Sequence, residues 1–73
     1  MEPSSKICLA QEALQRDRAA NTNLPSVRAL AERAATVWSA QAETARAREV
    51  REVARLNRVR AAQAAQQSDQ TGL

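Results

Sequence analysis

From Pro25 onward, apolar positions recur with helical periodicity and without interruption. Val27, Leu30, Ala31, Ala34, Val37, Trp38 and Ala42 gather on one side of a helical projection, the pattern of a helix that turns one face to a neighbour. Val50, Val53 and Leu56, with Ala61 and Ala64, form a second set further on. No glycine or proline interrupts the stretch after Pro25 until Gly72. The pattern predicts one helix over residues 25–66, about 42 residues and roughly 63 Å long at about 1.5 Å per residue. Upstream, Ile7, Ala10 and Leu14 make a narrower stripe, with Cys8 and Leu9 off it. Pro3-Ser4-Ser5 precedes that stripe, and either serine can accept a hydrogen bond from a free N–H of a first turn. A first helix is therefore expected over residues 4–20.

Between the helices lies Asn21-Thr22-Asn23-Leu24-Pro25. Asparagine tolerates the left-handed conformation that ends many helices, and a residue before proline avoids the helical region. Residues 21–24 read as a turn, with Asn23 or Ser26 placed to cap the second helix and Pro25 in its first turn. Residues 67–73 read as a flexible tail.

These elements make an all-α fold, a two-helix antiparallel hairpin with a long second helix. The two lengths do not match. A first helix of about 17 residues spans roughly 25 Å and is expected to cover the second only to about residue 42. The contact would set Ile7, Ala10 and Leu14 against the apolar side chains of residues 27–42, with small alanines letting the helices approach closely. Beyond residue 42 nothing in the same chain covers Val50, Val53 and Leu56. Their stripe also points about 100° away from that of the first half. Oligomerisation is expected to complete the bundle, most simply as a homodimer with a two-fold axis. The expected interface residues are Val37, Trp38, Val50, Val53 and Leu56.

Composition sharpens this picture. The chain has 73 residues and 17 alanines, no Phe, no Tyr and a single tryptophan. Alanine favours helix strongly but buries little area, and a chain this short builds only a marginal core on its own. One cysteine and no histidine leave no disulfide within the chain and no zinc site of the usual kind. No cofactor and no metal are expected. Cys8 is read as a small buried residue, and Trp38 as a core or interface residue. The N-terminal stretch lacks the pattern of a signal peptide and no apolar run reaches membrane-spanning length. No membrane association is expected, and a cytoplasmic address follows.

Charge adds one further candidate. Residues 1–45 hold five basic and five acidic side chains, whereas residues 46–60, "RAREVREVARLNRVR", hold six arginines against Glu49 and Glu52. Arg48, Arg51, Arg55 and Arg58 share an arc of about 80° on the helix, a face suited to phosphate or another anion. Several of them have carboxylates at helical spacing: Glu52 lies three or four residues from Arg48 and Arg55, and Glu49 three from Arg46. Residues 46–60 hold no aromatic side chain to stack on bases. No histidine or glycine-rich phosphate loop supports catalysis, so the chain is not expected to be an enzyme.

The stretch "ALQRDRAANTNLPSVRALAERAATVWSAQAETA", residues 13–45, resembles a group of short alphaproteobacterial proteins of unknown function. Their shared pattern is an alanine-rich first helix, a turn, and a second helix carrying Val-Arg, alanine, tryptophan and alanine. Here these are Val27-Arg28, Ala34 or Ala35, Trp38 and Ala42. The resemblance implies a helical hairpin around a central tryptophan and no particular activity. The arginine-rich extension after residue 45 departs from it. The function expected is a helical protein–protein interaction or regulatory module that self-associates or takes a protein partner. The alternative is a small basic nucleic-acid-binding protein using the arginine face.

Overall fold

A computed structural model describes residues 2–71, with side chains described through Ser68. It holds two helices, α1 (Ser5–Ala20) and α2 (Pro25–Thr71). They form an antiparallel hairpin inside an elongated envelope of 74 × 16 × 14 Å.

Both ends of α1 are capped locally. Ser4 has extended backbone, and its hydroxyl accepts a hydrogen bond from the Ile7 N–H at 3.3 Å. At the other end Asn21 closes the helix from an ordinary negative φ of −102°. The left-handed termination expected at the asparagines does not occur. Instead the Asn21 side chain donates to the Asp17 carbonyl at 2.8 Å and to its carboxylate at 3.0 Å. In the turn, Thr22 has the organising role expected of Asn23 or Ser26. Its hydroxyl accepts the Leu24 N–H at 3.2 Å, and its carbonyl accepts from the Arg28 guanidinium at 3.0 Å. The Leu24 carbonyl then starts α2 by accepting the Arg28 N–H.

The helix α2 runs to Thr71, five residues beyond the expected end, so residues 67–71 are helical and not a loose tail. Nothing there breaks a helix before Gly72, and glutamine is a good helix former. Gly72 and Leu73 lie outside the described residues.

The packing seam differs from the one expected. Its buried residues are Cys8 and Ala19 on α1 and Ala31, Ala35, Ala42 and Ala45 on α2. Half-buried Trp38 fills the gap between Ala35 and Ala42. The α2 seam thus advances by alternating steps of four and three residues, the spacing that keeps one line facing an antiparallel partner. Ile7 and Leu14, expected inside, are 52% and 51% exposed, and Val37 is 55% exposed. The reason is geometric. Alanine on α2 lets the backbones come to the short end of the usual interhelical distance, and bulky side chains then fit only beside the contact. On α1 the close line is Cys8, Gln11, Gln15 and Ala19, where Cys8 is fully buried and the glutamines half-buried.

The hairpin also extends further than expected. Ser5, at the start of α1, meets Glu49 of α2, so cover ends near residue 49 and not near residue 42. At the other end Ala19 and Ala20 of α1 lie beside Arg28 and Glu32 of α2, where Ala31 is buried.

The seam predicts a specific intolerance. Ala35→Leu, at a position with no exposed surface, should destabilise the fold by about 1–3 kcal/mol through overpacking. Leu30→Ala on the exposed flank should stay within about 0.5 kcal/mol. Paired thermal melts followed by circular dichroism measure both.

Candidate interaction surface

The distal end of the hairpin is pinned by polar contacts. The Ser5 N–H donates to Glu49 Oε2 at 2.9 Å, and the Ser5 hydroxyl donates to Oε1 at 2.5 Å. Ser5 is the first residue of α1, so its N–H has no partner within the helix. A carboxylate there also meets the positive end of the helix dipole. Glu49 thus caps α1 from the other helix. The two Ser5 hydrogen bonds, aided by Arg48 and Arg46, hold its carboxyl below the usual glutamate range. Beside it, Arg48 donates to the Pro3 carbonyl at 3.1 Å and pairs with Glu2 at 2.7 Å.

Past Glu49 the helix α2 continues alone as an arm. Continued at the same alternating steps, the seam line passes through Glu49, Glu52, Leu56 and Val59. Small residues in the hairpin give way to large ones where α1 ends. Val50, Val53, Leu56 and Val59 are between 40% and 62% exposed on the arm.

A groove of about 530 Å³ runs along one side of the hairpin and onto the arm. Leu9 of α1 forms one wall, and Ser39, Glu43, Arg46, Val50 and Val53 of α2 form the other. A smaller one of about 320 Å³ lies on the opposite side, lined by Cys8, Val37 and Arg48 among others.

These positions divide the expected interface set. Val50 and Val53 line the larger groove, Leu56 follows on the arm, Val37 borders the smaller groove, and Trp38 sits in the seam within the chain. The expected anion-binding arginines divide as well. Arg48 is engaged by Glu2 and Pro3, and Arg55 is paired with Glu52 at 2.7 Å. That pairing lowers the Glu52 pKa and raises that of Arg55. Arg51 and Arg58 have no ion-pair partner among the described residues. Sequence reasoning passed over Leu9, Glu43 and the Ser5–Glu49 link. The usable signal for them was the regular row of alanines in α2, which fixes the seam and hence which residues flank it.

Among the described residues no group of three His, Cys, Asp or Glu side chains could hold a metal ion, and no helix is long and apolar enough to cross a membrane.

The cap carries a pH signature. A carboxyl held low in the folded state stabilises above its ordinary pKa and loses that contribution as pH falls through the lowered value. Glu49→Gln should melt below the parent at pH 7, and the gap should close as pH drops below about 4.3. A gap that stays constant across that range would show that the charge contributes nothing. No protein-family model, no curated protein and no solved structure matches the chain.

Proposed function

We propose that this chain is a non-enzymatic helical interaction module that self-associates through the apolar side chains of its long helix. One observation carries the reading. The hairpin buries a cysteine and alanines, while ten large aliphatic residues are 40–62% exposed. The accessible surface is 6000 Å², against about 4,450 Å² for a compact monomer of 8.0 kDa. The excess, roughly 1,500 Å², is more than the roughly 800 Å² that each partner buries in a standard interface. Val50, Val53 and Leu56 are the centre of the proposed contact, and a homodimer is its simplest closed form. A cytoplasmic setting belongs to the same proposal, and a single buried free cysteine suits a reducing compartment.

A second reading, a basic arm for nucleic acid, draws on Arg51 and Arg58. Its sign would be duplex affinity that falls steeply with salt. The self-association reading has the stronger support, since Arg48 and Arg55 already have carboxylate partners.

Val53→Asp tests the main reading. The side chain is 57% exposed and lies outside the hairpin seam, so the substitution leaves the alanine packing untouched. Light scattering on a sizing column should show the parent as a dimer at micromolar concentration and the variant as a monomer that keeps most of its helical signal. A parent monomeric throughout that range, with the arm helical and protease-resistant, would sink the proposal.

A further inference from the structure

We infer that the larger groove is occupied by the distal arm of a second copy, laid antiparallel across a two-fold axis between Val50 and Val53. The inference rests on the self-association reading and specifies its geometry. The α2 wall of the groove belongs to a row that continues along the arm: Ser39, Glu43, Arg46, Val50, Val53, Asn57, Arg60 and Ala64. Its steps alternate between four and three residues, as in a helix facing an antiparallel partner. The row reads the same spacing in both directions from its midpoint, so a two-fold axis there brings every position onto another member. Val50 meets Val53 of the second copy, and the symmetry repeats that contact. Arg46 then faces Asn57, Glu43 faces Arg60, and Ser39 faces Ala64.

Charge supports this register. Among the described residues Glu43 and Arg60 make no ion pair or hydrogen bond, and this register sets the two opposite charges face to face. The groove is lined by Glu43, Arg46 and Glu49, and Arg60 is the arginine of the arm that this register brings to Glu43. An amphipathic helix with an apolar row and one cation at Arg60 suits that groove, and the chain itself carries one. Leu9 of α1, on the opposite wall, comes within reach of Leu56 of the second copy, because the arm's own seam residues turn toward α1. Each half of the dimer becomes a three-helix bundle of α1, the proximal part of α2 and the second copy's arm. Arg51, Arg55 and Arg58 stay about 110–170° from the contact row and remain solvated, and Val37 stays outside it too.

Crosslinking in the full chain tests the register. In a Cys8→Ala background, Ser39→Cys and Ala64→Cys are introduced together. The two positions are 25 residues apart on one helix, about 37 Å, so no disulfide can close within a chain. Mild oxidation should give a covalent dimer from the double variant and none from either single variant. A covalent dimer from a single variant, or none from the double variant when light scattering shows a dimer, overturns the register and leaves self-association standing. A monomer at all concentrations overturns both. Independently, Glu43→Arg and Arg60→Glu should each weaken dimerisation about tenfold, since two exposed ion pairs are lost per dimer at about threefold each. The combined variant should recover most of the loss. Losses that simply add would contradict the pairing.

Discussion

Close approach of two helices along a line of alanines is the constraint on which the other features depend. Ala31, Ala35, Ala42 and Ala45 leave room for a neighbouring backbone and for little else. Cys8, with no exposed surface, is the deepest residue of α1 because it is small enough for that line. Among the described residues the large aliphatic side chains lie on the flanks, in the turn or on the arm. A seam of methyl groups buries little area per residue, so the hairpin gains less from its own core than its helical content suggests. Local helix propensity and the caps must supply the remainder.

The second constraint is the inequality of the helices. The shorter one, Ser5–Ala20, ends against Glu49, while the longer one continues to Thr71. Glu49 stands at the junction, where it satisfies the first amide of α1. On its far side the same line carries Leu56 and Val59, where it had carried alanines. The change in side-chain size coincides with the loss of intrachain cover. That coincidence gives the arm a role: its larger side chains suit a contact in which the partner helix stands further away. The arginines of the arm lie mostly on its outer side and keep an apolar helix hydrated.

Helices, turn and hairpin were legible in the sequence because their signals are local. Pro3-Ser4 and Pro25 mark starts, Asn21–Leu24 breaks the pattern, and nothing interrupts α2. The arm, and the exposure of Val50, Val53 and Leu56, followed from the length mismatch. The identity of the seam did not. Ranking residues by hydrophobicity places Ile7, Leu14 and Val37 inside, whereas backbone proximity selects alanine and cysteine. The signal was present in the alternating four-and-three row of α2, but alanines are so frequent that the row does not stand out from them. The Ser5–Glu49 cap was illegible for a different reason, since it joins residues 44 positions apart and depends on a register that only the folded hairpin fixes.

The central claim is that the folded chain is complete only when a second copy covers the arm. Its most direct test is the thermal midpoint of the unmodified protein over a hundredfold range of concentration. Folding coupled to association makes the midpoint rise with concentration, and that rise is the result the account predicts. A midpoint that stays the same across the range, with full helical signal at the lowest concentration, would contradict it.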